Sequence, residues 1–393
     1  IAALYYLFEF VARVEPSLAA SPIAVFYKLS ETEFGTLASL FFWVYAPMQI
    51  VVGLLLDRHG ARPLAVPGSL LCALGVFLFI ATPSPALAGA GRLLTGLGAS
   101  FAFVSALYLV NHWFPPRRFA LLSGVVNAIG MVGTAAGSVA LTVLIADWGW
   151  RSVFFATGVF GLGIFVLAFL FLRDAPGCAT SSEDSMLAHI GGKLRGVFGS
   201  RRIWLIAVLG MLYYVPINVF GVLWGHEALT QKNGLSSVQA QTAIGMIFWG
   251  AAGGSVVFGA LSDVWGHRQK LILVGLALAI ITFGALIYLP LKSVYAISAM
   301  LFAGGFFVGG QMLTFAMAKE GISAKNTGTV VAFVNMIGIG GAIVFQPLTG
   351  YLLELFDNNF TKALTLMPVA LIVAALLALF LRDECHPDHS RDK

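Results

Sequence analysis

The chain has 393 residues, of which 59% are hydrophobic and 10% charged, and its mean hydropathy is +0.90. An average soluble domain is about half apolar and about a quarter charged, so this composition excludes a water-soluble monomer, a disordered chain, a collagen and a disulfide scaffold. The formal net charge of +5 comes with no long basic run, which gives no case for nucleic acid, and Cys72, Cys178 and Cys385 lie too far apart for a metal or disulfide framework.

Apolar runs fall in chain order at about 2–27, 36–56, 63–82, 86–112, 119–145, 152–172, 203–229, 239–261, 271–290, 294–318, 327–354 and 362–381. A spanning helix needs about 20 apolar residues, so the expected fold is an all-α membrane protein of twelve transmembrane helices. The first run carries Glu9, Arg13 and Glu15-Pro16. Glu9 and Arg13 are one helical turn apart and can pair. A charge in mid-span costs on the order of 3 kcal/mol or more unless it faces protein or water, so this face is expected to turn inward, to a cavity. The planar fork of Arg13 suits a carboxylate or phosphate. Glu9 could hold Arg13 in the empty site or carry a proton; the alternative is a purely structural ion pair. Glu15 is a second proton candidate or a residue near the outer surface, and Pro16 kinks the helix.

The second run ends in Gly53-Leu-Leu-Leu-Asp57-Arg58-His-Gly60-Ala-Arg62. Asp57, Arg58 and Arg62 are expected to gate one face of the membrane, Asp57 by sitting near the next helix N-terminus or by pairing with a cation. Arg92, early in the fourth run, either snorkels to the interface or, as a resemblance to a known transporter family implies, attracts substrate or couples protons. Asn127 in the fifth run is an amide for cavity lining or inter-helix contact. The polar stretch 173–202 divides six runs from six, giving expected units of 1–172, a cytoplasmic linker 173–202, a second bundle 203–381 and a tail 382–393. In the seventh run Tyr213, Tyr214 and Asn218 are the best uncharged substrate contacts. Trp224, His226 and Glu227 at its outer end form an outer gate or proton relay, or simply lie at the interface. Asp263 and Arg268 follow the eighth run, and Gln311, Asn335 and Gln346 are further amides in the tenth and eleventh. The glycines at 130/133/137 and 338/340/341 read as close helix contacts.

The halves repeat. Gly53–Arg62 recurs at 259–268, Asn127-Ala-Ile-Gly130 as Asn335-Met-Ile-Gly338, and Leu4-Tyr5-Tyr6-Leu7 as Leu212-Tyr213-Tyr214-Val215, at offsets of 206, 208 and 208. Parallel repeats of this kind belong to transporters that hold substrate between two halves near the midplane. If both termini are cytoplasmic, sixteen Lys and Arg lie in inside segments and five in outside ones, a positive-inside bias.

The segment Gly53–Arg62, its copy at 259–268, Arg92-Leu-Leu-Thr-Gly96-Leu-Gly98 and Trp148-Gly-Trp150-Arg151 with Phe154 together resemble signature motifs of the major facilitator superfamily. The copy carries Val264 where the first half has Arg58, and Ala61 replaces one basic residue of the first. The resemblance covers essentially the whole chain and implies two six-helix bundles and alternating access. Tyr5-Tyr6 followed by Arg13 is similar to the organic-anion and organophosphate antiporter branch, where a first-helix arginine binds the anionic group; that branch's partner arginine in the seventh helix has no counterpart in Tyr213-Tyr214-Val-Pro216-Ile-Asn218. The opening also resembles transporters of intracellular gamma-proteobacteria.

The expected function is a non-enzymatic secondary transporter, monomeric, in a bacterial inner membrane. Its substrate is a small anionic or zwitterionic metabolite, driven by protons or by exchange. Efflux of a hydrophobic or siderophore-like compound is the alternative. No phosphate-cradling loop is present and no cofactor is expected.

Overall fold

The computed structural model describes residues 1–113, 119–174, 199–265, 267–319 and 324–381. The side chains of Asp57, Arg58, Asn127 and Asp263 lie outside the described residues, as do the linker residues 175–198 and the tail 382–393.

The described residues form twelve helical rods: α1 (Ala2–Leu18 continued by Ala20–Tyr27), α2 (Glu31–His59), α3 (Arg62–Ala81), α4 (Pro85–Ala99 and Ala102–Trp113), α5 (Phe119–Trp148) and α6 (Trp150–Phe171), then α7 (Arg201–Tyr213, Ile217–Trp224 and Gly225–Gln231), α8 (Ser237–Trp265), α9 (Arg268–Tyr288), α10 (Val294–Val308, Gly309–Met312 and Leu313–Lys319), α11 (Ala324–Leu355) and α12 (Phe360–Ala363 and Leu366–Leu379). Among the described residues ten stretches are long and apolar enough to cross a membrane. The α1 rod falls short because Glu9, Arg13 and Glu15 interrupt it; the apolar stretch found in α5, Gly133–Trp148, is short.

Packing follows the internal repeat. In the first six rods α1 packs on α5, α2 on α4, and α3 on α4 and α6; in the last six α7 packs on α11, α8 on α10, and α9 on α10 and α12. The two sets meet through α2 against α11 and α5 against α8, pairs that exchange under the same six-helix shift. Glycine makes the tight crossings possible. A Cβ on Gly96 of α4 would enter the backbone of Phe41 on α2, and one on Gly305 of α10 would enter that of Ile247 on α8. The offsets, 209 and 206, fall within one residue of those of the repeat.

Side chains also close helix ends in matched places. Arg62 at the start of α3 donates to the Phe169 carbonyl at the end of α6 (3.2 Å), and Gln269 at the start of α9 donates to the Ala378 carbonyl at the end of α12 (2.9 Å). On the opposite face, Arg151 donates to Ile80 O at the end of α3 (3.0 Å), and Lys232 to Ile287 O at the end of α9 (2.6 Å). These cations meet the carbonyls that a helix leaves unpaired at its C-terminus. The face at which α6 ends and α7 begins is the linker face, and the other the far face.

Candidate functional site

Proline shapes the centre of α1. Pro16 has no N–H to donate to the carbonyl of Ala12, four residues back, and the helix ends at Leu18, with Ala19 outside helical geometry. That orphaned carbonyl is met from α4: Arg92 Nη1 donates to Ala12 O (2.9 Å), and Nη2 also reaches Arg13 O (3.3 Å) and Ala38 O of α2 (3.2 Å). Arg92 is 4% exposed, so it neither snorkels nor faces solvent; it ties α1 and α2 to α4. With Glu15, 2% exposed, it lines a cavity about the size of one water together with Pro16, Val76, Phe79, Thr95 and Phe154. Glu15 is therefore interior to the first six rods, which corrects the outer-surface reading of this residue and the interfacial one of Arg92. A proline-broken helix needs backbone partners, and Arg92 can supply them only from inside.

Arg13 lies one turn before the break. Its Nε donates to Glu9 Oε1 at 2.9 Å, and Nη2 forms an ion pair with the same oxygen. The Glu9 side chain is fully buried, the Arg13 side chain is 10% exposed, and Glu9 Oε2 has no hydrogen-bond partner. The rings of Phe10 (4.5 Å), Tyr45 (4.8 Å), Phe41 (5.6 Å) and Phe42 (6.0 Å) surround the guanidinium, an arrangement that holds a cation by its ring quadrupoles.

The tyrosine repeat splits into two jobs. Tyr5 donates to Gly98 O inside the first bundle; its equivalent Tyr213 donates to Phe307 O at 2.8 Å inside the second and is fully buried. Tyr213, expected among the substrate contacts, is thus turned away from the midline, because the next residue along α7 takes the inward face. That residue, Tyr214, is half-buried and within electrostatic reach of Arg13 across the midline. Its equivalent Tyr6 packs on Phe10 and Phe103. Arg13, Glu9, Tyr6, Tyr45 and Tyr214 are the residues the fold brings together.

The amides divide differently. Asn218 is 2% exposed; its Nδ2 donates to Gly338 O (3.3 Å), and its backbone carbonyl accepts from Gln346 Nε2 (3.0 Å), so it joins α7 to α11. Gln311 is buried where α10 meets Gly210 of α7 and Gly338 of α11. Asn335 is half-buried on α11.

Of the expected gating residues, Arg62 works within the first bundle, as above, and Arg268 donates to Ser262 Oγ at 3.2 Å within the second. Both of these contacts are internal to a bundle. An anchor missed in the sequence is Asp174, whose carboxylate accepts from the backbone N–H of Ala61 (2.7 Å) and Arg62 (3.1 Å) beside Gly60 at φ +80°. Its signal was available: Phe171-Leu172-Arg173-Asp174 recurs as Phe380-Leu381-Arg382-Asp383, at offset 209. At the far end of α7, Glu227 Oε1 accepts from Ser21 N of α1 (3.0 Å) and from Ser21 Oγ, and Trp224 Nε1 donates to Gln346 O (3.1 Å).

Two six-helix bundles around a mid-span arginine define a family when the whole sequence agrees, and it does: the Major Facilitator Superfamily profile matches residues 1–227 and 206–393. The chain belongs to the Major Facilitator Superfamily. It is an integral membrane transporter, not an enzyme. Among relatives, the "Probable sulfoacetate transporter SauU" of Cupriavidus necator is 25% identical over 396 residues, covering 96% of this chain and 91% of that protein. The "Membrane sensor protein UhpC" of Salmonella typhimurium is 28% identical over 401 residues, covering 95% and 88%. Among solved structures, a bacterial homolog of the human lysosomal transporter Spinster, in an inward-facing and occupied conformation, superposes with a TM-score of 0.76 at 17% identity, covering 96% of this chain and 95% of that one. That likeness confirms the superfamily fold.

Proposed function

We propose that this superfamily member is a secondary active transporter of a small organic anion or zwitterion, with Arg13 as the anchor for the anionic group. The observation that carries the reading is the placement of Arg13: a guanidinium in mid-span, ringed by aromatic faces, whose partner is the carboxylate of Glu9. A substrate carboxylate or sulfonate can present its anionic oxygens to the same fork. Glu9 then acts as an internal stand-in that neutralises Arg13 while the site is empty. Once displaced, a buried Glu9 carboxylate is costly unless it takes a proton, which makes Glu9 the candidate for proton coupling. Glu15 and Glu227 are the other carboxylates that fit such a role. Tyr214, Asn335 and Gln311 supply contacts from the second bundle. The linker face is the cytoplasmic one by the distribution of Lys and Arg, and the protein works as a monomer in a bacterial inner membrane.

The test is ligand stabilisation of the purified protein by sets of carboxylates and sulfonates, sulfoacetate included, at two pH values, with each hit repeated on Arg13→Ala. Ligand that binds the folded state alone raises the unfolding temperature. Stabilisation that survives unchanged in Arg13→Ala sinks the anchor, and stabilisation by apolar compounds only favours the efflux reading.

A further inference from the structure

Two arginines lie inside the rods. Among the described residues, Arg13 and Arg92 are the lysines and arginines found away from helix ends and connections. Each has one buried carboxylate beside it: Glu9 pairs with Arg13, and Glu15 lines the same small cavity as Arg92. Arg92 is committed to the carbonyls of Ala12, Arg13 and Ala38, which leaves Arg13 as the cation that can turn to a substrate. Together Glu9 and Arg13 carry no net charge, and that is how a low-dielectric interior tolerates them.

Among the described residues, no lysine or arginine of the second six rods matches Arg13. Its equivalent in the repeat is Gly221, and that of Glu9 is Ile217. A Cβ on Gly221 would already stand 3.2 Å from the Phe248 ring and 3.4 Å from Ile247, so side chains of α8 occupy the place a second fork would need. The groups this half brings near the midline are uncharged: Tyr214 and Asn335 are half-buried and Gln311 is buried. Around the guanidinium itself stand the faces of Phe10, Phe41, Phe42 and Tyr45. A ring face is the negative side of the aromatic quadrupole, so the faces that hold one cation repel a further anionic group placed beside it.

We infer that the site takes substrates with a single anionic group and discriminates against dianions, an inference that rests on the anchor role proposed for Arg13. Monocarboxylates and monosulfonates are accepted; dicarboxylates, disulfonates and phosphate monoesters are disfavoured. One anionic group that displaces Glu9 adds one negative charge, and one proton taken up by Glu9 restores the neutrality of the empty site. A dianion adds two. After Glu9 has taken its proton, the second charge has no cation to meet and lies against ring faces and uncharged side chains, in an interior where an unpaired charge is costly. The selectivity comes from the count of charges at one fork and is independent of the rest of the substrate.

The experiment compares size-matched anions on the full chain by thermal unfolding at neutral pH and constant ionic strength: butyrate against succinate, and propanesulfonate against sulfoacetate. In each pair the monoanion is expected to stabilise the protein at lower concentration, with an apparent affinity about tenfold or more above that of the dianion. Both effects are expected to vanish in Arg13→Ala. Tyr214→Arg places a second cation within reach of Arg13 across the midline and is expected to raise dianion affinity to that of the monoanion or above it. A dianion that binds the unmodified protein as tightly as its partner, and loses this in Arg13→Ala, overturns the single-charge rule and leaves the anchor standing. Stabilisation unchanged by Arg13→Ala, or none by any of the four anions, overturns the anchor and the rule with it. Should Tyr214→Arg fail to fold, the paired comparison on the unmodified protein decides alone.

Discussion

At the scale of single residues, the repeat hides an asymmetry that decides function. Arg13 and Gly221 occupy equivalent places, as do Glu9 and Ile217, so the ion pair belongs to the first half alone. Arg13→Ala is expected to lower substrate affinity about a hundredfold or more, since it removes the cation that receives the anionic group; binding measured on a hit from the ligand screen checks it. The tyrosines give a sharper comparison. Tyr213→Phe loses a buried hydrogen bond to Phe307 O and is expected to cost about 1 kcal/mol of stability with KM unchanged. Tyr214→Phe is expected to change KM and leave thermal stability nearly alone. The doublet was visible in the sequence, but which member faces inward was not: adjacent helical residues point about 100° apart, and only the packing of α7 on α10 and α11 sets the rotation. Glu9 and Arg13 were legible because a bilayer tolerates such a pair only for a reason.

At the scale of elements, α1 and α4 are one device. Pro16 breaks the hydrogen-bond ladder of α1, and Arg92 repairs it from outside the helix. Arg92→Met is expected to destabilise the protein, because it strands the carbonyl of Ala12 and removes the ties to Arg13 O and Ala38 O, and to impair uptake through displacement of Arg13. Pro16→Ala restores an internal donor for Ala12 O and is expected to suppress the stability loss of Arg92→Met when the two are combined. Thermal unfolding of the two single variants and the double variant decides the point; simple additivity would remove the coupling. The sequence showed an arginine in a span and a proline in another, but no pattern in either helix says that the first serves the second. Asp174 is the same case: its carboxylate closes the start of α3 from a position 112 residues away in sequence from Arg62.

At the scale of the whole molecule, two bundles related by one shift meet on α2–α11 and α5–α8. The charge distribution is what supports our proposal that the linker face is cytoplasmic. In intact cells, an impermeant thiol reagent is expected to label Lys292→Cys, in the connection after α9, and to reach Cys385 only after the membrane is permeabilised; labelling of Cys385 alone before permeabilisation reverses the orientation.

Composition and run length alone determined a twelve-helix membrane protein, because a spanning helix must carry about 20 apolar residues whatever its neighbours do. The repeats at nearly constant offset determined the pseudo-symmetry, and the cost of charge in lipid singled out Glu9 and Arg13. Only the tertiary structure decided that Arg92, Tyr213 and Asn218 serve packing, and that Glu227 crosses between halves. Those roles depend on which backbone groups other helices leave unpaired, and that is a property of the assembled bundle rather than of any one helix.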